Sequence, residues 1–142
     1  MIIGIAGKKQ VGKNTVGAFI AYYFYDLNQN NYCYVCSFAR KLKEIVSTLC
    51  HKELEEYESG EFKEAIDPLT GKTNREVLQI IGSEFRRLFG DDIWIKTLFH
   101  DYIPEDTWIV TDVRYKNEAD AIKKQGGVLI RVNRDTGYND NH

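Results

Sequence analysis

Met1-Ile2-Ile3-Gly4-Ile5-Ala6 runs directly into Gly7-Lys8-Lys9-Gln10-Val11-Gly12-Lys13-Asn14-Thr15. The first six residues form a short apolar, strand-like run, and a helix-like pattern begins by Thr15. Strand, glycine-bounded loop, lysine and helix in that order match the phosphate-binding pattern G-x-x-x-x-G-K-[ST], except that Asn14 stands where a hydroxyl is expected. Gly7 and Gly12 permit backbone torsions closed to other residues and let N–H groups approach phosphate oxygens. The helix start adds N–H groups and the positive end of its dipole. Lys13 then reaches the outer phosphates of a nucleotide.

Working outward, the elements alternate. Strand one is Ile2–Ala6 and helix one about Lys13–Leu27, ending in the polar turn Asn28-Gln29-Asn30-Asn31. Strand two is about Tyr32–Ser37, followed by a helix over about Ala39–Leu49. His51 to Asn74 is charged and contains Gly60, Pro68 and Gly71, which predicts a short helix and then a mobile loop. Helices follow over about Arg75–Phe89 and Ile93–Tyr102, the second with Asp92 as a capping candidate. Strand three is Thr107–Thr111, the last helix about Asn117–Gln125 closed by Gly126-Gly127, and strand four Val128–Val132; the tail from Asn133 is polar. Such alternation implies an α/β fold with a parallel sheet between helical layers.

The whole chain fits one domain of 142 residues, with 43% hydrophobic and 28% charged side chains. A net charge of −2 argues against a general nucleic-acid binder. No apolar stretch reaches membrane-span length, and three cysteines are consistent with reduced thiols, so a cytoplasmic location is expected. Cys33-Tyr34-Val35-Cys36 spells C-x-x-C, but residues three apart on a strand point to opposite faces, which favours buried structural cysteines over a shared metal.

Asp112 sits at the carboxyl end of strand three, where an open α/β sheet meets its ligand. Beside strand one it can hold Mg²⁺, directly or through water. Arg114 can grip a phosphate with two prongs, and Glu118 lies where it can pair with Arg114 or with a ligand. On the Arg75–Phe89 helix, Leu78, Ile81, Phe85 and Leu88 form a core stripe, whereas Arg75, Gln79, Gly82 and Arg86 share another face. Gly82 inside a helix costs about 1 kcal/mol relative to alanine, which a close ligand or a neighbouring helix would explain. Trp94 can stack on a base or fill the core. Lys43 is a further basic candidate after strand two.

Four segments together resemble the bacteriophage-type deoxynucleoside monophosphate kinases, a group of P-loop kinases. They are Gly12-Lys13-Asn14-Thr15; Phe38-Ala39 with Leu42-Lys43; Arg75 to Glu84 with Trp94-Ile95-Lys96; and Thr111 to Glu118 with Gly126-Gly127. The resemblance implies a three-layer αβα P-loop fold with about four parallel strands here, the relatives' final strand and helix falling outside this chain. It implies one domain over residues 1–142, with a helical acceptor-binding insertion at about 51–104. It further implies transfer of the ATP γ-phosphoryl group to a deoxynucleoside 5′-monophosphate with Mg²⁺, in the cytoplasm of a host if the source is a phage. By position, Gly7, Gly12, Lys13, Asn14 and Thr15 would hold ATP, with Arg134 in a lid. Lys13, Asp112 and Arg114 would act in transfer. Lys9, Lys43, Arg75, Gln79, Trp94, Arg114 and Glu118 would meet the acceptor, and Asn14, Thr15 and Asp112 would face the metal.

An exposed strand-four edge implies either that the chain shown is cut short or that a partner covers the edge, a homodimer among the options. Two other functions fit the same loop: a P-loop kinase of an alcohol, similar to dephospho-coenzyme A kinase, with Asp112 as base, and a non-catalytic nucleotide-binding protein.

Overall fold

The computed structural model describes residues 1–27, 32–135 and 137. The turn expected at 28–31 and most of the tail beyond 135 lie outside the described residues. The chain falls into two compact units, residues 1–38 with 98–142, and residues 39–97.

The first unit holds β1 (Ile2–Gly7), α1 (Lys13–Leu27), β2 (Cys33–Cys36), β3 (Thr107–Val113), α6 (Lys116–Lys124) and β4 (Val128–Val132). All strand pairs are parallel, in the order β2-β3-β1-β4. β1 is apolar throughout because both of its faces are covered. Ile3 and Ile5 join Ile109 in a buried cluster with Val16, Ile20 and Phe24 of α1. On the opposite face, a Cβ built on Gly4 would lie 2.6 Å from Ile122 Cδ1 of α6. Helix, sheet and helix thus form three layers.

Two expectations need correction here, the end of β3 and the burial of two cysteines, and one feature is new. β3 continues two residues beyond Thr111, to Val113. Its register against β1 slips: Gly4 pairs with Val110 but Ala6 with Val113, so Thr111 and Asp112 together oppose Ile5. Such a bulge re-aims side chains, and nothing in the apolar run Ile109-Val110-Thr111 announces it. Cys33 and Cys36 are half-buried rather than core residues, and only Cys50 is buried.

The second unit holds α2 (Arg40–Leu49), a 3₁₀ turn (Leu54–Glu58), α3 (Gly60–Glu64), α4 (Asn74–Phe89) and the start of α5 (Ile93–Asp101). Its core is Val46, Cys50, Tyr57 and Val77, with Leu42, Phe62, Leu78 and Ile81 packed around them. Val77, one residue before the expected stripe, takes the buried centre, and Leu88 is exposed. Thr73 caps α4: its hydroxyl accepts from Glu76 N–H while the Glu76 carboxylate accepts from Thr73 N–H. Those bonds favour the charged carboxylate and hold Glu76 below its ordinary pKa.

In place of an open loop, 65–74 closes as a small hairpin, with Ile66 bridged to Thr73. Buried Asp67 accepts from the Thr70 N–H and hydroxyl, and buried Asn74 donates to Phe62 O at 2.8 Å. The charged sequence suggested exposure, but these buried polar groups satisfy the turn's backbone from within.

Tyr57 is fully buried, and its hydroxyl finds no hydrogen-bond partner among the described residues. Burial pushes its phenol up to about 12, with Cys50, Asp67 and Glu56 adding to the shift. The fold favours the neutral phenol, whereas an unfolded tyrosine ionises near pH ~10. Its contribution is therefore complete below about pH 10 and is lost as pH rises through about 12. Tyr57→Phe should leave stability unchanged or slightly higher at neutral pH, because it removes an unpaired hydroxyl. It should also flatten the alkaline decline, as urea unfolding across that pH range would reveal. An unaltered decline would mean that another group drives it.

Candidate phosphate-binding site

The loop between β1 and α1 is built by unusual backbone. Gly12 takes φ 97°, and Gln10, which is not glycine, takes φ 62°. A side chain at Gly7 could not fit: its Cβ would stand 2.6 Å from the Val132 carbonyl oxygen of β4. Lys13 opens α1 and folds back over the loop, its Nζ donating to Gly7 O at 2.8 Å and Lys8 O at 2.7 Å. The ammonium therefore crowns the loop whose N–H groups start the helix. Asn14 and Thr15 follow in the first turn and are exposed.

Because β3 neighbours β1, Asp112 lies on the adjacent strand close to the level where the loop begins. It is half-buried, and its Oδ1 accepts from Phe38 N–H at 2.8 Å, so the β2 end orients the carboxylate. Arg114 is exposed at the strand end. Glu118 is buried, and its Oε2 accepts from the backbone N–H groups of Arg114 at 2.8 Å and Tyr115 at 3.0 Å. It caps α6 and sets the corner carrying Arg114, where an ion pair with the guanidinium or a ligand contact was expected. Arg134 borders an open cleft of about 330 Å³ lined also by Lys8, Val11, Val132, Asn133 and Asp135. Lys9 is exposed on the loop.

The remaining candidates belong to the second unit. Lys43 Nζ stands 2.8 Å from Glu58 Oε1, and Arg75 Nε 2.6 Å from Glu64 Oε1. Gln79 is exposed on the same helix as Arg75. Trp94 is only 4% exposed; its ring stacks on Phe85 at 5.6 Å, and its Nε1 donates to Gly82 O at 3.2 Å. A tryptophan so enclosed is a core residue, and base stacking by Trp94 is withdrawn. A separate contact explains Gly82, whose Cβ would press to 3.0 Å on Leu42 Cδ2 of α2: a neighbouring helix, rather than a ligand, occupies the space.

Sequence reasoning missed Lys8, whose carbonyl holds Lys13 and whose side borders the cleft, and the glutamates Glu58 and Glu64. The basic loop composition hinted at the first. No local pattern signals the other two, because Glu58 and Glu64 stand 15 and 11 residues from their partners. Among the described residues no group of His, Cys, Asp and Glu is arranged to hold a metal by itself, and no helix is long and apolar enough to cross a membrane.

No family model matches the chain. A protein of Acanthamoeba polyphaga mimivirus named "Putative deoxynucleotide monophosphate kinase" is 30% identical over 151 residues, covering 94% of this chain and 74% of that protein.

Proposed function

The chain belongs to the family of that mimivirus deoxynucleotide monophosphate kinase, and we propose that it moves the ATP γ-phosphoryl group onto a deoxynucleoside 5′-monophosphate, giving the diphosphate and ADP. A nucleotide kinase needs two anionic ligands held in line and their charge neutralised, and little else from the protein. The acceptor phosphate is already an anion near neutral pH, so no strong base is required.

The observation that carries this reading is the loop at 7–13. Its positive-φ backbone and the Lys13 ammonium folded across it supply donors of the kind that ATP phosphates require. The exposed first turn of α1, with Asn14 and Thr15, and the half-buried Asp112 carboxylate offer oxygen atoms suited to Mg²⁺. The metal, when bound, neutralises phosphate charge. Asn14 offers an amide oxygen where relatives of this loop offer a hydroxyl, a neutral donor that suits the same hard cation. Arg114 is assigned to the transferred phosphoryl group and Arg134 to a lid. Lys9, Lys43, Arg75 and Gln79 are assigned to the acceptor, with Arg75 and Lys43 exchanging a glutamate partner for a phosphate.

Full-length protein with ATP, Mg²⁺ and each common deoxynucleoside monophosphate in turn should release ADP only when the correct acceptor is added. Indifference to every acceptor, with ATP still bound, would remove the kinase reading and leave a nucleotide-binding protein.

A further inference from the structure

Gly17 lies in α1, one helical turn after Lys13, and is buried. Apart from proline, glycine is the residue least favoured in a helix interior, because it loses the most backbone freedom and packs nothing. Its surroundings account for it. A Cβ built on Gly17 would stand 2.6 Å from Thr111 Cγ2 of β3, whereas its next neighbours, Ile109 Cγ2 and Ile5 Cδ1, lie at an ordinary 3.6 Å. One methyl group of Thr111 therefore excludes a side chain there. Thr111 is held in place: it is 6% exposed, its β-branched side chain is stiff, and its hydroxyl donates to Cys36 O at 3.4 Å. The register slip in β3 sets Thr111 and Asp112 together opposite Ile5. Such a bulge re-aims the side chains around it, so one kink places both the methyl that meets α1 and the carboxylate that Phe38 N–H orients.

We propose that Gly17 and Thr111 are positioning residues, a role that rests on the loop at 7–13 being the ATP site. Their contact sets how closely the first turn of α1, with Lys13, Asn14 and Thr15, approaches Asp112 on the neighbouring strand. It thereby sets how well ATP and Mg²⁺ are held together. Gly17 has no side chain and the Thr111 hydroxyl is engaged by Cys36 O, so both act through the helix they seat. An added methyl at Gly17 would lift the start of α1 by about 1 Å, the difference between 2.6 Å and the 3.6 Å of its other neighbours. A misplacement of that size is enough to spoil phosphate positioning.

Isothermal titration of ATP into the full chain, with and without Mg²⁺, gives the factor by which Mg²⁺ tightens ATP. Partial unfolding scales both affinities alike and cancels in that factor. Gly17→Ala should cut the factor by about tenfold, and acceptor-dependent ADP release should fall through kcat while the acceptor KM holds. Thr111→Ser deletes the methyl and keeps the hydroxyl; it should lower the factor less, with a circular dichroism spectrum like that of wild type. Gly17→Ala combined with Thr111→Ser moves one methyl from strand to helix and should recover most of the loss. Gly17→Ala combined with Thr111→Val, which keeps the methyl, should recover none. Single variants with the wild-type factor, or a Gly17→Ala/Thr111→Ser protein no better than Gly17→Ala, overturn the proposal and leave the ATP site standing. A wild-type protein that binds no ATP overturns both.

Discussion

Lys13→Ala should reduce acceptor-dependent ADP release by on the order of 10²–10³-fold, about 3–4 kcal/mol of transition-state stabilisation. The loop aims this lysine through two of its carbonyls, Gly7 O and Lys8 O. Phosphoryl transfer leaves the protein little to do beyond positioning and neutralising charge, so deleting a positioned cation removes a large share of what the site can offer. The same substitution should scarcely touch the fold. Both hydrogen bonds it deletes lie near the surface and are each worth about 0.5–1.5 kcal/mol. Circular dichroism and a urea midpoint close to wild type, with turnover lost, are the expected pair of results. Retained turnover would remove the loop from the mechanism. Lost turnover with lost structure would be resolved by Lys13→Arg, which keeps the charge and the reach but not the compact geometry of an ammonium.

Trp94→Ala should be the most destabilising single change, costing about 3–5 kcal/mol of a total that for ordinary domains is ~5–15 kcal/mol. The substitution deletes a buried ring stacked on Phe85, and it leaves the Gly82 carbonyl without the indole donor. Trp94→Phe separates the two effects. It keeps an aromatic ring for Phe85 and loses only the hydrogen bond, for which about 1–3 kcal/mol is expected. Urea unfolding followed by circular dichroism reads both variants. A loss under 1 kcal/mol for the alanine variant would contradict a core role and reopen base stacking.

Much of the architecture was legible along the chain. β1, the glycine loop and α1 were readable because each depends on neighbours in sequence: an apolar run, two glycines, and a helix start. The Gly126 stop is likewise local and stands in the structure, whereas the Thr73–Glu76 cap of α4, equally local, was not read. The acid at the end of β3 was found by its place in the strand, and the β1–β3 pairing that its role needs is present.

What was not legible follows a common cause. Gly82 left either a close ligand or a neighbouring helix to fill the bare middle of the Arg75 face, and Leu42 of another helix occupies that space. Glu118 was read as pairing with Arg114 or with a ligand; that its carboxylate also accepts from the backbone N–H groups of Arg114 and Tyr115 was not legible, because it depends on burial at the β3–α6 corner. The segment 51–74 looked solvent-like by composition. Its glutamates are exposed, but Asp67 and Asn74 are buried and tie together a small hairpin.

By itself, then, the sequence determined the order of strands and helices along the chain, the parallel α/β class, and a glycine-bounded loop carrying Lys13 between β1 and α1, since periodicity and glycine placement act within a few residues. Only the tertiary structure decided the bulge that places Thr111 and Asp112 opposite a single residue, the enclosure of Trp94, and the pairing of Lys43 and Arg75 with Glu58 and Glu64. Those outcomes depend on which distant segments come into contact, and a side chain's partner is settled by the space and charge around it after packing.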